Sequence, residues 1–563
     1  MRRLTRYGVI LTAGVLAAGV AGCTAGSSSS TTSSSGSSSN KTPTNSSLTI
    51  SNENGALWTC GFNPLNSSYN LLSVGFIYEP LVYVNPLQSG KTTPMLASSY
   101  SWGAGNKSLT FTIRSGVKWS DGTPMTAADV AYTFNLEKKY AALDLTGVWS
   151  VLSSVTATGN TVTMDFSTVA VPYFYYIADQ TPIVPQHIWS TLSNPATDSI
   201  KNPVGTGPYL MSKCSPQNIT YTANPHYWQP GLPRIHTLQY PAFTSNATAN
   251  NTLASGQAQW GAQYIPDIQS FYTSKNPNFH YWFPPVLNVA LTPNLTNPLL
   301  SNVKVREAMS YAIDRDKVST IGESGYEPPA NQTGVVTPTF STSLNSQAAA
   351  AWGTAYDPNK AKALLADAGY PNGLKLSAII SNNEALLRPM QVIQEQLRRV
   401  DITLDLDVVE HAAFHAQIRK DLSPLVLYGA ARFPVADAYL TQFYHSASIV
   451  GTPTGVTNFS HCKGADSEID AARRETDPAR QKALWATAQR KIMEEVCAVP
   501  LFEQLQVWAR RDTVDYGYPL VGSMTFQYPD AHLAISESTA LPRYRVRGMS
   551  FQACPVNRRL AFA

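Results

Sequence analysis

The sequence predicts an α/β protein of more than one lobe, and three observations carry that reading. Of its 563 residues, 43% are hydrophobic and only 14% charged, the composition of a folded body rather than a disordered one. Roughly 500 residues lie beyond a low-complexity front end, too many for one hydrophobic core. The second half alternates segments of helical period with short segments of strand period, the pattern of helices layered on a sheet.

The elements follow in order. Arg2, Arg3 and Arg6 precede an apolar stretch, Val9 to Ala21, too short and too rich in small residues to span a bilayer comfortably; it reads as an export signal. No later apolar run is long enough to cross a membrane. Residues 24–47 are almost all Ser, Thr, Gly and Asn, with no apolar face to bury, so they form a flexible tether. Leu48 to Ser51 is a first strand, followed by an aromatic, turn-rich loop from Trp58 to Tyr69. Leu109 to Arg114 and Val162 to Phe166 alternate apolar and polar residues as half-buried strands. Thr126 opens a helix, with Asp129 in its first turn.

Beyond residue 300 the helices are punctuated by caps. Val303 to Ile313 carries Val305, Ala308, Met309, Ala312 and Ile313 on one side. Asp357-Pro358 and Asp477-Pro478 each supply an N-cap followed by Pro at the first helical position, and Gly369 closes the first of these helices. Leu386 to Val400 is a helix, and Ile402, Leu404, Leu406 and Val408 alternate as the next strand.

The net charge of +4 is too small for this length to imply nucleic acid, and no Lys/Arg-rich run supports it. Cys60, Cys214, Cys462, Cys497 and Cys554 fit no zinc spacing. Cys462 with Cys497 is the favoured disulfide because both lie in one segment, although spacing alone does not decide pairing. Gly205-Thr206-Gly207-Pro208 lacks the Lys and later Gly of a phosphate loop, and reads as a tight turn. His411 and His415 stand at i, i+4, a geometry able to hold a metal, but they read as a solvated helix face. Asp405 and Asp407 share the polar side of their strand, and exposure explains them better than calcium does. No nucleophile elbow is present. Neither a metal nor a cofactor is expected, and no catalytic residue is assigned.

Two resemblances add to this. Val20-Ala21-Gly22-Cys23 resembles the lipobox of bacterial lipoproteins, which implies a lipoprotein signal over residues 1–23 cut just before Cys23, a lipid on the Cys23 thiol, and an extracytoplasmic protein anchored to the cell membrane. The stretch from Leu109 to Leu136 (LTFTIRSGVKWSDGTPMTAADVAYTFNL), Asn202 to Leu210, Asn224 to Trp228, Val303 to Arg315 and Asp357 to Gly373 together resemble, in order, the family-5 extracellular solute-binding proteins, the class that includes dipeptide and oligopeptide binders. The resemblance implies a type II periplasmic-binding-protein fold of two α/β lobes with an extra α+β domain inserted in the first. Lobe I would comprise 48–89, 203–292 and 500–563, the inserted domain 90–202 and lobe II 293–499, with crossings near Thr292 and Pro500. It further implies a monomer, not an enzyme, that captures a peptide or an oligosaccharide by lobe closure and hands it to an ABC permease and ATPase. A membrane-anchored hydrolase and a sensor that feeds no transporter are the rival classes.

Against the family pattern, Trp58, Trp260, Tyr264, Trp282 and Phe433 are candidate ligand-lining aromatics, able to pack on peptide side chains or sugar faces. The segment Ala431-Arg432-Phe433-Pro434 departs from it: peptide binders of the family commonly carry there the Asp that pairs with the peptide's ammonium. Arg432 in that place would favour a carboxylate or another acceptor-rich group.

Overall fold

A computed structural model of the chain describes residues 46–52, 57–66, 69, 73–85, 90–262, 265, 267–282, 285–327, 329–330, 335, 356–431, 436–452, 457–505, 508–511, 514–515 and 534–535. Cys23, Tyr264, Arg432 and Phe433 lie outside them, as does Cys554.

The first core forms around a seven-stranded sheet. β1 (Ser47–Asn52) sits at its centre, parallel to β10 (Thr237–Pro241) on one side and to β11 (Trp260–Ala262) on the other. The antiparallel strands β8 (Tyr209–Ser215) and β9 (Asn218–Ala223) extend one edge. β12 (Phe279–Trp282) and β18 (Trp508–Arg511) extend the other. Alternation puts Leu48 and Ile50 of β1 into a core with Phe76, Tyr209, Tyr221 and Leu238, where Phe76 stacks on Tyr221 at 4.9 Å. A Cβ on Gly205 or Gly207 would collide with the Ile77 or Phe76 carbonyl oxygen, so this turn is a close backbone approach and needs glycine for steric reasons.

A separate antiparallel sheet, in the order β4 (Ala97–Trp102), β5 (Ser108–Ile113), β7 (Thr161–Phe166), β6 (Leu152–Thr158), packs under helix α1 (Ala127–Lys139) around Phe111, Trp119, Phe134 and Val162. α1 opens on a capping box between Thr126 and Asp129. The Asp129 carboxylate accepts from both the backbone N–H and the hydroxyl of Thr126, at 2.8 and 3.0 Å. Two short elements join this sheet to the rest: β2 (Val82–Asn85) and helix α2 (Phe174–Ala178).

The third core is the largest. β13 (Pro285–Pro293) runs antiparallel between β16 (Leu425–Ala431) and β17 (Val499–Leu505). β14 (Leu374–Ser381) and β15 (Ile402–Val409) are parallel over eight residue pairs. Helices α3 (Val303–Ala312), α4 (Pro358–Asp367), α5 (Glu384–Arg398), α6 (His411–Arg419), α7 (Ala436–Tyr444), α8 (Asp466–Arg474) and α9 (Pro478–Glu494) surround them. Asp357 and Asp477 cap α4 and α9 as the sequence predicts, each accepting from the third amide of its helix. Arg315 is buried and donates to the Pro500 carbonyl at 2.8 Å, tying the end of α3 to β17; burial pushes its guanidinium down to about 10.

The change of sheet falls a few residues from where the sequence placed it. Leu287 to Pro293 already pair with β16, and 499–505 still pair with β13. The chain then joins the first sheet at Trp508. Two disulfides close loops, Cys60–Cys214 across 154 residues and Cys462–Cys497 across 35. No described helix is long and apolar enough to cross a membrane.

Candidate functional site

β13 and β17 are the two paths between the lobes, and they hydrogen-bond each other along their length. A pair of adjacent strands can flex together while each lobe keeps its own core, which is how a hinge works. Around this joint the lobes touch at named points. The Tyr326 hydroxyl accepts from the Ile268 amide at 2.7 Å. Val84 and Tyr175, from the first lobe and its inserted domain, share the core of the second.

Two polar side chains at the joint stand out by burial. Asp437, in the first turn of α7, is 3% exposed. Its Oδ2 accepts from Arg473 Nε at 3.4 Å, and Arg473 Nη1 reaches Asp470 at 3.2 Å. The Arg473 guanidinium also lies 5.6 Å from the Tyr173 ring centre of the inserted domain. Burial raises the Asp437 carboxyl above its ordinary value even with Arg473 beside it.

Asn288, on β13, is 4% exposed, and among the described residues neither its Oδ1 nor its Nδ2 has a hydrogen-bond partner. The register sets it opposite Ala430 on β16 and Glu503 on β17. A buried carboxamide left unpaired costs about 1–3 kcal/mol, so its presence asks for a reason. The sequence reading missed Asn288. The available signal was one amide interrupting an apolar run, Val286-Leu287-Asn288-Val289-Ala290-Leu291.

The aromatic candidates divide. Trp58 is a core residue whose Nε1 donates to the Tyr240 carbonyl at 2.8 Å, with the two rings 5.4 Å apart. Trp260 is 2% exposed in the core of the first sheet. Trp282 ends β12 opposite Trp508.

The metal candidates divide too. Asp401 and Asp405 are exposed and pair with Lys362 at 2.9 Å and Lys375 at 2.7 Å, and Asp407 is exposed, as read from the sequence. His411 and His415 correct it: they are half-buried rather than solvated, because α6 lays that face against β14 and β16. Burial pushes His415 down to about 4 and lowers His411 as well. The atoms of Cys462, Glu495 and Cys497 also lie close together, but both sulfurs are in the disulfide and offer no thiolate.

A surface cavity of about 630 Å³ is lined by residues such as Arg114, Asn160 and Trp228. All of its lining comes from residues 98–116, Asn160 and 228–230, and none from the third core.

Residues 91–450 match the family described as bacterial extracellular solute-binding proteins, family 5 Middle. The chain belongs to this family. Among its family-5 relatives is the glutathione-binding protein GsiB of Escherichia coli O157:H7, 28% identical over 469 residues, covering 79% of this chain and 86% of that protein. The solved structure of MoaA from A. tumefaciens R10 with mannopinic acid is 32% identical, with a TM-score of 0.77 over 87% of this chain and 100% of that one. The fold is also that of DppA from Helicobacter pylori in complex with the peptide STSA, 22% identical, with a TM-score of 0.76 over 87% of this chain and 98% of that one. The chain is therefore a two-lobed, type II binding protein, an extracytoplasmic solute-binding component of the kind that serves ABC transporters.

Proposed function

We propose that this family-5 protein captures an acidic, peptide-like solute between its lobes and delivers it to an ABC permease. The observation that carries the acidic part is Arg432, a fixed cation where peptide-binding relatives commonly hold a carboxylate. A guanidinium presents two parallel N–H donors that match a carboxylate. Asn288, paired in register with Ala430, offers a further donor and acceptor, suited to an amide or a second carboxylate. The names of two relatives are in keeping with this reading: one is called glutathione-binding, and the other, above 30% identity, was solved with mannopinic acid. Phe433, Tyr264 and Trp282 remain candidates to pack against the solute.

The same reading holds the protein at the membrane through a lipid on Cys23, with residues 24–47 as the tether. It works as a monomer, and solute leaves as it entered, without chemical change.

A thermal-shift screen of glutathione and other acidic peptides, opine-type acids, neutral peptides and oligosaccharides tests the cargo. Stabilisation by acidic peptides or opine-type acids alone is the expected result. Stabilisation by neutral oligosaccharides alone would contradict it and favour the sugar-binding branch of the family. Mass spectrometry of the bound solute after long incubation tests binding against turnover.

A further inference from the structure

We propose that His411 and His415 form a two-nitrogen site on the second lobe for a divalent transition-metal ion of the zinc, nickel or copper type. The site stands apart from the solute reading and does not depend on it.

The argument starts from spacing. Residues four apart on a helix are neighbours on one face, and α6 begins at His411. The two Nε2 atoms are 3.2 Å apart, while the ring centres are 4.6 Å apart and the rings cross at 83°. The rings therefore meet by their nitrogen edges and not by their faces. With metal–nitrogen bonds of about 2.0–2.1 Å, nitrogens at this separation subtend roughly 100° at a shared ion. That angle lies between the square and tetrahedral values these ions adopt.

The surroundings supply what such a pair needs. His411 Nδ1 is 2.8 Å from the Ser381 hydroxyl oxygen, which also accepts from the Asn383 amide at 3.0 Å. With its Nδ1–H donated to Ser381, His411 keeps its Nε2 lone pair for an ion, the usual arrangement of a metal-bound histidine and its outer partner. Among the described residues His415 Nδ1 is buried without a hydrogen-bond partner, so no fixed partner there forces its proton onto Nε2. Imidazole suits zinc, copper and nickel, and water or a chelating solute can complete the coordination. Glu410 on the same helix is engaged at the first turn, its Oε2 accepting from the Ala413 amide at 3.1 Å. It is not counted as a ligand.

The test uses the full chain without a purification tag, treated with a chelator and then titrated by calorimetry with Zn²⁺, Ni²⁺ and Cu²⁺ separately. Wild type is expected to bind one equivalent that His411→Asn and His415→Asn each lose. Ser381→Ala should weaken binding by about tenfold, the usual cost of removing an outer partner. No binding by wild type to any of the three ions overturns the site, and so does undiminished binding in both asparagine variants. Should either variant fail to fold, electron paramagnetic resonance of the Cu²⁺-loaded wild type decides. Two imidazole nitrogens on the copper support the assignment, and one or none overturns it.

Discussion

Asp437 and Asn288 are both buried polar side chains of the second lobe at its joint with the first, and they differ in how far they are paired. Asp437 has Arg473 beside it, with Asp470 and the Tyr173 ring closing the cluster. Among the described residues Asn288 has no hydrogen-bond partner for either polar atom, whereas Asp437 leaves only its Oδ1 unpartnered. The first arrangement spends its charges on holding the structure together. The second leaves both polar atoms unspent at the strand that leads between the lobes, and in the function proposed above that amide serves the solute. The difference teaches that burial alone does not say how a polar group is used; its partners do.

The largest effect should come from breaking the paired site. Arg473→Met leaves Asp437 buried with its charge uncompensated and should cost about 3–5 kcal/mol of stability, read by urea unfolding. A loss well below 1 kcal/mol would mean that the two sites do not differ as described. Removing the unpaired site should do the reverse. Asn288→Leu is expected to leave the stability of the solute-free protein unchanged or higher, and to weaken solute binding by about tenfold. Loss of stability with affinity intact would make Asn288 a structural residue.

A third kind of buried polar group sharpens the contrast, because it is hydrogen-bonded yet averse to charge. Glu79 accepts from the Tyr227 hydroxyl and the Trp228 Nε1, each at 2.9 Å, and burial still pushes it up to about 7 from 4.5. Asp179 is likewise pushed up to about 7 from 3.8. Between the ordinary and the raised value the folded protein holds a proton that the unfolded chain has lost, so stability falls as pH rises through that window and levels above it. Glu79→Gln carries no such charge. Its stability relative to wild type should rise from pH 4.5 to about 7 and stay flat beyond, measured by thermal melts. A relative stability independent of pH would show that burial does not shift this carboxyl.

The smallest effect belongs to the exposed pair Lys375–Asp405, 2.7 Å apart. Lys375→Ala should change stability by less than about 1 kcal/mol, against several for Arg473.

Much of the fold was legible because local chemistry and tertiary structure agree. The Asp-Pro caps at 357 and 477, the alternation of Ile402 to Val408 and the glycine at 369 each act within a few residues, so the sequence displays them directly. The candidate site was less legible, since residues from distant parts of the chain would have to come together to form it. Trp58 and Trp260 show the ambiguity of aromatic residues: the same flat apolar ring serves a ligand or a core, and here both are packed in the core. The histidine pair shows another. Its spacing was plain, but its burial is set by Ser381 and Tyr428 on other strands, which no helical pattern reveals. Arg432 was legible only by contrast with the family pattern, as a charge where the opposite charge is common.

The most direct test of the account is a calorimetric titration of wild type, Arg432→Ala and Arg432→Asp with one acidic solute identified by the screen. The account predicts stoichiometric binding by wild type. Arg432→Ala should bind about ten- to a hundredfold more weakly, the worth of a hydrogen bond to a charged group, and Arg432→Asp more weakly still. Equal affinity in all three proteins would contradict it, and would mean that the cation at this position takes no part in recognising the solute.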